Sequence, residues 1–522
     1  MTKSLVQGAF YLTIATMLSK IIGSAFRIPL QNIAGNEVLG IFTLVYPVYM
    51  TVLILAVAGI PLAISKLISE SRAIGEEENI RHIFITASLL ALLFGCISFV
   101  GLLSSLDSLV VLLGGEYIRL SIIVISFSLL IAPYMAVYRG YFQGFDIMKA
   151  TAVSQVIEQI VRVFFILLFA FFLVQQNQPS HIVTAGVMAG SIIGVFASFV
   201  YLRIYYTRVG PKPKEEPSQK YNWQAFKLWS KKILVLAIPI CIGIITLALI
   251  NLIDSLTVPT QLRAIGFDEE TIPYIYGYYG RGLALVQIGV VFAQSMVIPL
   301  IPLITSALVK GEKEHTSSLT EKALSYTHLT SWPISIGLLA LTIPINYAFF
   351  GDFRENAVIA ILHFNALFTA FAIMTTGLLQ GMNRSFHAAL IVLGCAALKV
   401  ILNIVFIRHF GLMGVAISTV IVYALMTIFN LVLIKNTITL KMWKRHHFIY
   451  GLSAIVMGIV VALPLYWLDL TEWTRGNTFV YLMGMILLGA LIYGGMILAL
   501  KGITSRELKQ IPYIGKYISN GG

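Results

Sequence analysis

Apolar runs of about 20 residues recur from one end of this chain to the other, and each can cross a ~30 Å hydrocarbon core as a helix. Hydrocarbon offers a backbone N–H or C=O no partner, so a spanning segment must be a helix or a strand of a closed barrel. Barrel strands would read as segments of about ten residues with alternating polarity, and no such pattern is present. The chain is therefore read as an all-α polytopic membrane protein of about fourteen transmembrane helices. Expected spans run from 5–30, 38–66 and 82–105, through 232–256, 276–309 and 322–350, to 447–468 and 478–500. Composition agrees, since only 11% of residues are charged and 58% are hydrophobic. A soluble domain carries roughly 25% charge to wet its surface. The stretch Met1 to Arg27 lacks a small-residue cleavage site and stays apolar to Leu30, so it is read as the first membrane helix and not as a removed signal.

A net charge of +13 would suggest nucleic acid on a soluble protein. Here the basic residues collect in short connections, which is the positive-inside pattern. With the N-terminus in the cytoplasm, the outer connections and their flanks hold only Arg119, Arg263, Arg354, Arg408 and Arg475 of the 36 lysines and arginines. Both termini are expected on the cytoplasmic side. The longest cytoplasmic connection holds Pro211-Lys212-Pro213-Lys214-Glu215-Glu216-Pro217, a polar linker. It divides the chain into an N-terminal lobe (1–210), a linker (211–231), a C-terminal lobe (232–436) and a last helix pair with a cytoplasmic tail (437–522).

A repeat supports two lobes of about six helices each. Gly140-Tyr141-Phe142-Gln143-Gly144 is echoed by Gly377-Leu378-Leu379-Gln380-Gly381, and the same offset carries Arg162 onto Lys399. A second echo pairs Ile60-Pro61-Leu62-Ala63-Ile64-Ser65 with Ile301-Pro302-Leu303-Ile304-Thr305-Ser306. Transporters built from repeats bind substrate near the membrane midplane at the repeat interface.

Several chemistries are not written here. No G-x-x-x-x-G-K-[ST] loop is present for ATP, and Gly277 to Gly282 is glycine-rich but opens a membrane span. Cys96, Cys241 and Cys395 lie apart in apolar runs and read as small buried hydrophobes. His446-His447 beside Lys444-Arg445 reads as an interfacial basic cluster ahead of a metal site. No cofactor or metal is expected, and no nucleic acid.

Charges at membrane depth are costly, so each is a functional candidate. They are Lys20 and Arg27 in the first span, Arg139 in the fourth, Glu158 and Arg162 in the fifth, Asp254 in the seventh, Arg281 in the eighth and Lys399 in the eleventh. Cations outnumber acids, which favours an anionic ligand in a wet cavity. Lys20 and Arg27 are two turns apart on one face. With Arg281 they form the sharper substrate-binding set, because a guanidinium donates two hydrogen bonds at once to phosphate. Arg139 reads as snorkelling to the cytoplasmic edge. Glu158 and Arg162 are spaced to neutralise each other, Lys399 has no partner in its own span, and both cations stay open as ligands. Asp254 is either a gate partner for Arg27 or Arg281 or a coupling-cation site. Tyr46, Pro47 and Tyr49 in the second span, and Pro299 and Pro302 in the eighth, allow bends suited to alternating access.

These motifs resemble the MurJ and SpoVB-like branch of the multidrug/oligosaccharidyl-lipid/polysaccharide exporter superfamily. The resemblance covers nearly the whole chain. Its most specific parts are Leu18-Ser19-Lys20-Ile21-Ile22-Gly23 through Arg27, and Tyr278-Tyr279-Gly280-Arg281-Gly282 through Pro299 and Pro302; Asn251-Leu252-Ile253-Asp254 is similar to sporulation-associated members. The resemblance implies a flippase that moves lipid II or a related polyprenyl-pyrophosphate-linked glycan from the inner to the outer leaflet. It implies that Lys20, Arg27 and Arg281 meet the headgroup, that the last two helices help hold the tail, and that an ion gradient (Na+ or H+) or membrane potential drives transport. Proteobacterial members carry Arg at the position of Lys20 and charge in the second span, where Val38 to Ser65 has none. A teichoic, capsular or spore-wall precursor therefore stands beside lipid II as substrate.

Two other classes remain. A multidrug/cation antiporter usually has about twelve helices and an intramembrane carboxylate, and a glycosyltransferase or ligase would need a large outer loop with catalytic acids. The longest outer connection here, Leu256 to Tyr276, holds only Asp268-Glu269-Glu270. The expected setting is a bacterial plasma membrane, as a monomer in contact with the lipid bilayer and with cell-wall synthesis machinery. The topology is testable: alkaline phosphatase fused after Gly210 should be inactive and after Arg354 active, and the reverse pattern would overturn the orientation.

Overall fold

The computed structural model describes residues 3–57, 59–211, 221–440 and 444–502. Most of the expected proline-lysine linker and the last part of the expected cytoplasmic tail lie outside the described residues, as do the side chains of Pro299 and Pro302. Among the described residues every regular element is helical. They are α1 (Lys3–Ala25), α2 (Arg27–Val57), α3 (Ile60–Ala73), α4 (Glu77–Ser104), α5 (Leu106–Leu112), α6 (Arg119–Ser126), α7 (Ser128–Gly144), α8 (Met148–Gln175), α9 (Ser180–Arg208) and α10 (Trp223–Ala264). There follow α11 (Thr271–Val309), α12 (Lys313–Ala340), α13 (Thr342–Phe350), α14 (Asn356–Gly381), α15 (Ser385–Phe410), α16 (Leu412–Thr437), α17 (Arg445–Ala462) and α18 (Arg475–Ala499). Ten helical stretches in the described residues are long and apolar enough to cross a membrane, or eleven if the pair α12–α13, bent by 74°, is one span. The first of these stretches alone runs 63 residues, Tyr11–Ala73.

Two features of the span ends have local causes: a break between the first two expected spans, and an extension beyond the seventh. The first helix does not stop at Ala25, because Phe26 N donates to Ile22 O (3.3 Å) and Leu30 N to Phe26 O (3.0 Å), carrying the helical bonding into α2. The chain breaks instead at Gly35 (φ 85, ψ 176), a conformation that a side chain would strain. The connection expected over Leu256 to Tyr276 is mostly helix: α10 runs on to Ala264 and α11 begins at Thr271, with Gly266 (φ 99) between them. α10 is 42 residues long, about 63 Å at 1.5 Å per residue, and so exceeds any hydrocarbon core. Polar residues in its last turns hid that extension, since hydropathy marks what lies in lipid and not what is helical.

The helices group into two compact units. One holds residues 1–291 and 383–422, and the other 292–382 and 423–522. The first unit contains all the charges expected at membrane depth, from Lys20 to Lys399. Its most extensive seam joins α8 to α9, where Gly186, Gly190 and Gly194 repeat every fourth residue along α9. A Cβ at Gly190 would stand 2.6 Å from the Ile166 nitrogen, and one at Gly194 2.5 Å from the Arg162 Cβ. Small residues at this spacing let helix backbones approach in lipid, where apolar burial alone cannot drive association. The seam thereby holds the backbone of α8 at Arg162.

In the second unit α12 packs on α14 and α17, and α18 packs on α13 and α17. Thr320, Thr327 and Ser331 on α12 bond back to carbonyls four residues earlier, which satisfies their hydroxyls within the helix. His447 of α17 stacks on His328 (4.4 Å), and Ser325 lies within 3.1 Å of both His446 and His447. Lys444 pairs with Glu321 at 2.7 Å.

Gly190→Val is expected to wedge α9 from α8 and cost about 2 kcal/mol. Thermal unfolding in detergent would register this as a lowered Tm; an unchanged Tm would mean that the seam is not close-packed.

Candidate functional site

The break at Gly35 presents Asn36 toward α11. Arg281 Nε donates to Asn36 Oδ1 (2.8 Å), and Asn36 Nδ2 donates to the Tyr274 carbonyl. Arg281 is only 1% exposed, and its guanidinium lies 4.6 Å over the Tyr278 ring. α2 and α11 meet backbone to backbone here, because a Cβ at Gly40 would overlap the Pro273 carbonyl and one at Gly277 the Asn36 carbonyl.

Arg27 and Arg162 share an aromatic cradle. Phe26 meets Phe42 edge to face at 5.4 Å, and Phe42 stacks on Tyr46 at 5.0 Å. The Arg27 guanidinium lies 5.6 Å from Phe42, and that of Arg162 lies 5.6 Å from Phe26 and 5.1 Å from Tyr46. Ring faces attract cations, most strongly when water is excluded. Both arginines are buried, at 5% and 7% exposure. Yet Nε and Nη1 of Arg27 and Nε of Arg162 have no hydrogen-bond partner among the described residues. Buried donors left unmade carry a desolvation penalty of ~1–3 kcal/mol each, and more on a charged group.

The remaining charges behave differently. Asp254 of α10 receives Asn403 Nδ2 on Oδ1 (2.8 Å) and the Tyr279 hydroxyl on Oδ2 (2.7 Å). Lys399 Nζ stands 3.1 Å from Asp254 Oδ1 and donates to Ser418 (3.0 Å), to Thr419 and to the Val415 carbonyl (3.4 Å). The ion pair is wholly buried, with both side chains at 2% exposure or less. Glu158 does not pair with its neighbour Arg162. It takes Arg139 Nη2 at 2.6 Å, while Arg139 Nε reaches Ser154 at 3.0 Å.

The structure supplies partners for three of these charges. Lys399, without a partner in its own helix, finds one across the unit in Asp254. Asp254 is bound to that lysine and to Tyr279, not to Arg27 or Arg281. Arg139, read as snorkelling, is the partner of Glu158. The structure brings together Arg27 with Arg162, and Asp254 with Lys399; Arg281 is tied through Asn36, and Lys20 is half-buried one turn along from Gly23. Sequence reasoning missed Asn36, Tyr279, Asn403, Ser418 and Thr419, all buried. Neutral polar residues in an apolar run were the available signal, since Asn403 lies one turn from Lys399 on the same face.

Loss of one partner leaves a buried charge alone, which costs ~3–5 kcal/mol. Lys399→Met and Asp254→Asn should each lower the Tm strongly, and the double variant should lose far less than the sum. A double-mutant cycle checks this; additive losses would mean that the pair is not coupled.

A family profile described as "Polysaccharide biosynthesis protein" matches residues 5–308. The lipid II flippase MurJ of Bacillus subtilis (strain 168) is 26% identical over 491 residues, covering 89% of each chain. The stage V sporulation protein B of the same organism is 21% identical over 528 residues, covering 99% of each. A solved structure of lipid II flippase MurJ in an inward closed conformation superposes with a TM-score of 0.62 at 16% identity, covering 94% of this chain and 98% of that one.

Proposed function

The chain belongs to the polysaccharide biosynthesis protein family, and from that premise we propose that it translocates a polyprenyl-pyrophosphate-linked cell-wall precursor, lipid II or a related glycan lipid, from the inner to the outer leaflet. The observation that carries this reading is the pair of buried guanidiniums, Arg27 and Arg162, with orphaned N–H groups beside one aromatic cradle. An anion with several acceptor oxygens satisfies such donors, and a diphosphate does so in bidentate fashion. In this reading Arg281 of α11 and Lys20 of α1, in the same compact unit, add positive charge for the headgroup. A lipophilic cation, the cargo of an efflux antiporter, would meet repulsion there.

In this reading Asp254 acts in gating or ion coupling, and Lys399 is its internal counter-charge and not a headgroup ligand. Tyr279 links that pair to Arg281 two residues further along α11, so headgroup capture and release of Asp254 can be coupled through one helix. Glu158 is held by Arg139 and steadies α8 beneath Arg162. Transport proceeds by alternating access, driven by an ion gradient or by the potential. Moving one negative charge outward, down an inside-negative potential, releases about 2.3 kcal/mol per 100 mV.

Complementation of a bacterium depleted of lipid II flippases, with an accessibility assay for lipid II in the outer leaflet, tests this. Growth with restored exposure is expected for the wild type. Arg27→Ala and Arg281→Ala should lose activity at least tenfold while inserting normally, and Arg281→Lys should recover it only in part. Full activity of both alanine variants would remove the cationic site. Correct insertion of the wild type without rescue would redirect the reading to another polyprenyl-linked glycan or to efflux.

A further inference from the structure

The arginines are not the only orphans in this region. Among the described residues, Gln31 Oε1, Gln159 Oε1 and Ser19 Oγ are also buried without a hydrogen-bond partner. Gln31 is 8% exposed and lies one turn after Arg27 on the same face of α2. Gln159 lies one turn before Arg162 on α8, and its Oε1 would stand 2.9 Å from a Cβ on Gly23. One turn earlier again, Gln155 Oε1 accepts from Thr16 Oγ1 at 3.0 Å. Gln155, Gln159 and Arg162 share one face of α8, and Thr16, Ser19 and Gly23 share the facing side of α1. The seam is therefore a polar row that ends at the two arginines, in a region where unsatisfied groups are especially costly.

The chemistry of the orphans is mixed in a specific order. At the arginine end they are donors, which want phosphate oxygens. Beside it they are amide carbonyls, which want O–H or N–H donors. A diphosphate alone answers only the first set. A diphosphate bearing a hydroxylated or N-acylated sugar answers both.

We propose that Gln159, with Gln31 and Ser19, recognises the first sugar next to the diphosphate and sets the preference of the site for a glycosylated lipid over the bare polyprenyl diphosphate. This rests on the flippase reading above and adds a specificity determinant to it. Gly23 belongs to the device, because a side chain there would displace the Gln159 amide. A site built to bond a polar group discriminates against the analogue lacking it, since its own buried groups are then left unmade.

The test uses the purified full chain in nanodiscs and two probes, a polyprenyl diphosphate carrying one N-acetylhexosamine and the same lipid without the sugar. The readout is the ratio of the two dissociation constants. The wild type should prefer the glycosylated probe by roughly tenfold. Gln159→Leu should bring the ratio close to one. Gly23→Ala should do likewise, because it keeps the glutamine in the sequence but displaces its amide, while adding a better helix former. Arg27→Ala should weaken binding of both probes. A wild type without preference, or variants that keep the full preference, would overturn the sugar-reading role and leave the flippase reading standing. A wild type that binds neither probe would overturn both.

Discussion

Hydrocarbon supplies no hydrogen bonds, and that single constraint organises this protein. It makes every regular element of the described backbone helical, because only a helix satisfies its own N–H and C=O groups without a neighbour. It also removes the usual hydrophobic drive between helices, so contact must come from close approach and from polar groups. The glycine row of α9 against α8 supplies the first, and the network joining α10, α11, α15 and α16 through Asp254, Tyr279, Lys399 and Thr419 supplies the second.

Under that constraint the buried charges fall into two kinds. Asp254 with Lys399, and Glu158 with Arg139, are closed by partners at 3.1 Å or less. Such pairs fix which helices are neighbours and how they are rotated. Arg27 and Arg162 are buried in the same unit with donors left open, and aromatic faces compensate them only in part. A satisfied pair specifies a fold, whereas an open donor specifies a ligand. The contrast explains why Arg162 and Lys399, which the internal repeat places in corresponding positions, need not share a role. One faces an aromatic cradle and the other an aspartate.

Much of the architecture was legible beforehand for a physical reason. Membrane solvent imposes a one-dimensional rule, length of apolar run, that can be read residue by residue. The rule held for α4, α8, α9, α14 and α18, whose expected spans differ from the helices by a few residues. It failed where helices leave the lipid, as at the polar ends of α10 and α11. The candidate site residues were legible one by one, since Lys20, Arg27, Arg162, Arg281, Asp254 and Lys399 stand out as charges in apolar runs. Their partners were not, because Asn36, Tyr279, Asn403 and Thr419 are ordinary residues whose importance lies in what they face.

The sequence by itself determined that this chain is an all-helical membrane protein, that it carries a surplus of cations at membrane depth, and that no nucleotide-binding loop accompanies them. Those properties depend on composition and on spacing along a helix. Only the tertiary structure decided which charges are neutralised and which remain open. Asp254 and Lys399 are far apart in the chain, and so are Arg27 and Arg162. Whether two such groups meet depends on the rotation and approach of their helices, which glycine contacts, the break at Gly35 and interhelical hydrogen bonds set together, and which no local pattern encodes.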